Sequence, residues 1–110
     1  MRATLHIVAE ADWIAGTDPY RPPSLAAEGF IHCTDDRARL SEVGNRHYRD
    51  DQRPYVILTV DLDAIGSPWR FDDAKEWYPH IYGALPRAAV LGRAPFPRAA
   101  DGTFLDSASE

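Results

Sequence analysis

The longest unbroken run of β-forming residues is Tyr55-Val56-Ile57-Leu58-Thr59-Val60. A run apolar at both alternating sets of positions predicts a central strand covered on two faces. A second strand is predicted over 4–9, where Thr4-Leu5-His6-Ile7-Val8-Ala9 is bounded by polar residues. Helical spacing is clearest over 35–48. There Ala38, Leu40, Val43 and His47 share a face, and Arg37, Arg39, Glu42 and Arg46 supply the polar remainder. Shorter helical turns are predicted over 11–15, with Trp13 and Ile14 as core anchors, and over 25–28, capped by Ser24 and ended by Gly29. Trp69-Arg70-Phe71 reads as a short alternating strand, 78–83 as an edge strand or the lead into one because Pro79 lacks a donor, and 88–91 as a last strand. Past Arg93 the prolines, Gly102 and small residues predict a loosely held tail over 93–110, leaving one domain over 1–92. Short strands with one main helix and no regular βαβ alternation make the fold class α+β.

Between the first strand and the main helix stands Glu28-Gly29-Phe30-Ile31-His32-Cys33-Thr34. Glycine ends a helical turn, an apolar strand follows with one imidazole in it, and Thr34 before Asp35-Asp36 reads as a helix start. This order brings His32 and Thr34 to the mouth of a sheet. In a strand, neighbours point to opposite faces, so His32 and Cys33 form no Cys–His pair. Cys33 reads as a small buried thiol.

Composition narrows the class. Hydrophobic residues at 45% and aromatics at 11% suit a packed core. A net charge of −5 weighs against binding a long polyanion such as nucleic acid. The single cysteine excludes an internal disulfide and fits a reducing cytoplasm. No apolar run reaches the roughly 18–20 residues that span a bilayer, and no signal peptide opens the chain. The expectation is a cytoplasmic protein without a membrane partner. Neither G-x-G-x-x-G nor G-x-x-x-x-G-K-[ST] occurs, and no metal-ligand spacing such as H-E-x-x-H or C-x-x-C. No metal site is expected.

Three of the four histidines, His6, His32 and His80, fall in predicted strands. Each alone reads as a core or edge residue; three in one small sheet point to a shared pocket. His6, His32, Thr34, His80 and Tyr82 are therefore expected to border one concavity, with Arg46 near its rim. The rings of Trp69, Trp77, Tyr78 and Tyr82 suit either stacking on a ligand or filling a small core. Arg39 and Arg46 could hold a pyrophosphate, or form a solvated face with Glu42.

Leu5-His6-Ile7-Val8, Arg21-Pro22-Pro23-Ser24-Leu25, Gly29-Phe30-Ile31-His32-Cys33-Thr34, Gly44-Asn45-Arg46 and Tyr78-Pro79-His80-Ile81-Tyr82-Gly83 together resemble a family of small bacterial proteins known as domain-of-unknown-function family 952. That family is grouped by fold with the ADP-ribosyltransferases and RNA 2′-phosphotransferases. The resemblance implies an ADP-ribosyltransferase-like split β-sheet gripping NAD as cofactor, and a small nucleotide-like ligand as partner. It implies cofactor contacts from His6, Phe30, His32 and Arg46, and catalytic roles for His32, Thr34, His80 and Tyr82. The glutamate such transferases carry on a later strand has no counterpart in 78–83, and Glu76 lies just outside. Two readings follow: an NAD-dependent transferase or phosphotransferase relative, and a catalytically idle module that binds a ligand or protein in the same cleft.

Overall fold

The computed structural model describes residues 1–106 and is an α+β arrangement of two three-stranded antiparallel sheets. The first sheet has the order β1 (Ala3–Ala9), β3 (Tyr55–Asp61), β6 (Val90–Pro95). The second has the order β2 (Ile31–His32), β5 (Pro79–Ile81), β4 (Trp69–Phe71). Three short helices, α1 (Glu10–Ala15), α2 (Pro23–Glu28) and α3 (Leu40–His47), pack around them.

The six-residue apolar run is the central strand of the first sheet. Its alternation divides the core: Val56, Leu58 and Val60 pack with Val8, Trp13, Ile31, Ile81 and Leu85. Tyr55 and Ile57 face the other way, onto Leu5, Ile7, Leu40, Phe96 and Phe104. Burying apolar side chains on both faces contributes about 1.5–3 kcal/mol for each large one. This strand therefore dominates the energetics of the domain.

The two sheets are tied together along 31–34. Residues Ile31 and His32 pair with Ile81 and His80 of β5. Two residues on, Thr34 leaves that sheet and exchanges backbone hydrogen bonds with Leu5 of β1, at 2.8 and 3.1 Å. Gly29 takes φ 88° to end α2, its N–H donating to the Leu25 carbonyl, and so turns the chain into β2.

Several expectations are corrected. The helix predicted over 35–48 is a 3₁₀ turn, Arg37–Arg39, followed by α3. Its N-cap is Asp36, whose carboxylate accepts from the Ala38 N–H at 3.0 Å; Thr34 is held by β1 and is not the cap. The buried face of α3 is Leu40 and Gly44, with Val43 half-buried, while Ala38 and His47 are exposed. Ser24 caps nothing, since α2 begins at Pro23 after Pro22. Trp13 anchors the core, but Ile14 is 62% exposed. β5 is central in its sheet, tolerating Pro79 because it is the strand's first residue.

The largest correction is the tail. Strand β6 runs past Arg93 to Pro95, and Phe96 and Phe104 are both buried, their rings 4.5 Å apart. They fit because Gly44 has no side chain: a Cβ there would stand 3.0 Å from ring atoms of both. Asn45 fastens the segment, accepting from the Phe104 N–H at 2.7 Å and donating to its carbonyl at 3.0 Å. The last four residues of the expected tail lie outside the described residues.

Phe104→Ala should lower unfolding free energy by about 3–5 kcal/mol, read as a fall in the urea midpoint with an unchanged slope. A change below about 1 kcal/mol would mean that 96–106 adds nothing to the core.

Candidate functional site

A cleft of about 730 Å³ opens where the second sheet faces α2 and α3. β2 and its continuation contribute His32, Cys33 and Thr34, and β5 contributes His80. The β4–β5 loop adds Asp72, Asp73 and Tyr78, α2 adds Glu28, and α3 adds Glu42, Val43, Arg46 and His47.

His32 and His80 stand directly opposite each other in the β2–β5 register, with ring centroids 5.4 Å apart. Each imidazole is held by a carboxylate. His32 Nε2 lies 2.6 Å from Glu28 Oε1, and His80 Nδ1 lies 2.8 Å from Asp72 Oδ2. A carboxylate accepts, so each of these nitrogens carries the hydrogen. The opposite nitrogen of each ring makes no hydrogen bond among the described residues. Phe30 backs both, stacking on His80 at 3.9 Å and meeting His32 edge-on at 4.8 Å.

The carboxylates are each committed. Asp72 accepts from the Tyr82 hydroxyl, from Arg70 Nε at 2.8 Å and from His80, which holds its carboxyl well below the usual carboxylate range. Burial opposes ionisation of Asp73, but the Trp77 and Tyr78 N–H groups outweigh it and keep its carboxyl low. Glu42 pairs with Arg46 at 3.6 Å and with Arg39 at 3.8 Å. Arg39 also sits over Trp77, its guanidinium carbon 3.1 Å from the ring centre, and ties the start of α3 to the β4–β5 loop.

A family model described as "Protein of unknown function (DUF952)" matches residues 7–93. The chain belongs to the DUF952 family. Protein CC0527 from Caulobacter crescentus has a similar crystal structure, with TM-score 0.75 and 23% identity over 94% of each chain. A methionine double mutant of that protein gives the same values. Its solution NMR structure matches with TM-score 0.65 and 24% identity, over 93% of this chain and 90% of that one. This likeness shows a shared fold. No functionally curated protein matches the chain.

In this DUF952 chain, His32, Thr34, His80 and Arg46 line the cleft. Phe30 and Tyr82 are not among the lining residues; they stand beside it, Phe30 on His80 and Tyr82 on Asp72. His6 is elsewhere. It borders a smaller cavity of about 280 Å³ with Tyr20 and Arg21, which His32 also lines, and both its ring nitrogens are occupied. Nδ1 donates to the His32 carbonyl at 2.6 Å, so Nε2 accepts from the Tyr20 hydroxyl at 3.0 Å. The ribose contact implied for His6 has no free nitrogen to make it. Cys33 is buried, which pushes its thiol far above the ordinary range, with Asp35 adding to the effect. Among the described residues no group of three or more His, Cys, Asp and Glu is arranged to hold a metal ion.

Glu28, Asp72 and Asp73 were not singled out in the sequence. Asp72 had a signal: Arg70-x-Asp72 and Tyr78-x-His80-x-Tyr82 alternate, so a hairpin in this register puts all five on one face.

Burial takes the His6 ring down to about 4 from 6.5, its carbonyl bond working the other way. The folded value lies below the unfolded one, so the contribution is full above about pH 6.5 and is lost as pH falls toward 4. The span corresponds to about 3 kcal/mol. His6→Asn keeps a donor for the His32 carbonyl without the titration. It should flatten stability against pH between 4 and 6.5 in urea melts; an unchanged slope would show that His6 is not the titrating group.

Proposed function

We propose that this DUF952 chain is a small cytoplasmic protein that binds a nucleotide, NAD or ADP-ribose-like, in the cleft, and is a relative of the NAD-dependent transferases or the phosphotransferases that moves protons at its bound ligand. The observation that carries the reading is the facing pair of carboxylate-held imidazoles, His32–Glu28 and His80–Asp72, on neighbouring strands. An imidazole fixed by a second group is the usual arrangement for moving a proton at a bound substrate. Thr34 stands two residues from His32 on the same face, suited to orient a ribose hydroxyl, and Arg46 at the rim suits a phosphate. The cleft volume lies in the range of small-ligand sites. Two short antiparallel sheets meeting at a cleft agree with an ADP-ribosyltransferase-like split sheet. The single buried cysteine suits a reducing cytoplasm.

Charge narrows the ligand. Glu28, Glu42, Asp72 and Asp73 face one guanidinium, that of Arg46. A ligand with a cationic ring and a low net charge, such as NAD, suits this lining better than the more anionic ADP-ribose.

A catalytically idle binding module is the second reading, and one observation favours it. β5 carries no acid, and Glu76 is exposed in the β4–β5 loop and does not line the cleft.

Thermal unfolding with NAD, ADP-ribose and nucleoside monophosphates tests the reading. A ligand at 100 times its dissociation constant adds about 2.7 kcal/mol. His32→Ala should abolish that shift and change unliganded stability by less than about 1 kcal/mol, since its side chain is 45% exposed. If the variant unfolds, or keeps the wild-type shift, His32 is structural and the cleft reading goes with it. Binding without turnover of any nucleotide would favour the idle module.

A further inference from the structure

We infer that the His32–His80 pair breaks a P–O bond, and that its substrate class is a 2′,3′-cyclic ribonucleotide, a phosphodiester with a single negative charge. The inference rests on a nucleotide occupying the cleft and concerns which of its bonds reacts.

Two proton-transfer groups face one space. Each ring has one nitrogen committed to a carboxylate and one left over, on directly paired residues of adjacent strands. One such group is enough where the leaving group departs without needing a proton. Nicotinamide leaves an anomeric carbon as a neutral molecule, so the second imidazole would have nothing to protonate. An alkoxide leaving phosphorus is different, because it needs a proton as it departs. Attack by water then requires one neutral imidazole and one imidazolium together.

The charge of the lining selects the same class. Four carboxylates surround the site, and the guanidinium of Arg46 is already paired with Glu42. A monoanionic diester meets less repulsion there than a dianionic monoester, so substrate enters more readily than product stays. The whole chain carries a net charge of −5, which favours a mononucleotide over a long polyanion.

The step balances without a further reactant. Water oxygen attacks phosphorus and forms the new P–O bond, while its proton goes to the free nitrogen of the neutral imidazole. The bond from phosphorus to one ribose oxygen breaks, its electron pair staying on that oxygen. That oxygen takes a proton from the imidazolium. A cyclic diester and water become one phosphomonoester, and the two rings exchange protonation states, which solvent resets. Thr34 is placed to hold the ribose.

Phosphorus-31 NMR of the purified chain with 2′,3′-cyclic nucleotides reads the reaction directly. The wild type should form a single phosphomonoester, and His32→Gln and His80→Gln should each slow it by about 10²–10⁴-fold. The double variant should be little worse than the slower single one. Bis(4-nitrophenyl) phosphate loses a phenolate that needs no proton, so one variant should recover on it and the other should not. Circular dichroism checks each fold. If His80→Gln does not fold, Asp72→Asn and Glu28→Gln replace it, each expected to lower the rate by about tenfold or more.

Three results would overturn the inference: no monoester from the folded wild type, turnover that survives both histidine changes, or equal recovery of both on the aryl diester. Nucleotide binding that depends on His32 without any hydrolysis leaves the binding reading standing and sinks this one. Neither binding nor hydrolysis sinks both.

Discussion

The hydrogen bond from His6 Nδ1 to the His32 carbonyl, beside the paired backbones of Leu5 and Thr34, is the constraint on which the site depends. β1 is itself fixed by seven residue pairs to the doubly covered β3. Through this stitch, the rigidity of the first sheet passes to residues 32–34, which would otherwise hang on the two-residue strand β2. A buried donor–acceptor pair of this kind is costly to leave half made. His6 therefore fixes where the His32 backbone sits, and so where its ring is presented, without touching the cleft.

What holds the rings is electrostatic and exposed. Glu28 is half-exposed, as is the His32 it meets, and Arg70 is mostly in solvent. Exposed ion pairs contribute little to stability, about 0–1 kcal/mol each. Yet several of these pairs converge on one wall, where Asp72 alone gathers Tyr82, Arg70 and His80. Such a concentration does more for orientation than for folding, since it fixes which nitrogen of His80 bears the proton. Stability comes instead from the two cores on either side of β3.

How far the sequence could be read follows from the range of each interaction. The central strand was legible because six consecutive β-formers need no information from elsewhere in the chain. His32, Thr34, His80 and Arg46 were legible as polar groups at sites set by local pattern, and the structure puts them on one cleft. His6 carried the same local signature as His32, a histidine in an apolar strand. Periodicity cannot tell an imidazole with both nitrogens bonded from one with a nitrogen to spare. Phe96 and Phe104 were lost among prolines and small residues because the space they fill is made by Gly44, some fifty residues away. The helix start was misplaced because Thr34 and Asp36 both carry capping oxygens, and β1 had already claimed Thr34.

Strand β5 presents an imidazole, His80, to the cleft and carries no acid. An acid does stand beside it on the cleft wall: Asp72, bonded to Nδ1 of the ring. A carboxylate in the front position would meet a cationic sugar as it forms and stabilise it by charge. Bonded to an imidazole and already shared with Arg70 and Tyr82, this carboxylate also orients the ring beside it. The group presented to a ligand becomes a proton carrier rather than a fixed negative charge. With His32 facing it across the strand pair, the proposed reading is one of paired proton transfer rather than charge stabilisation.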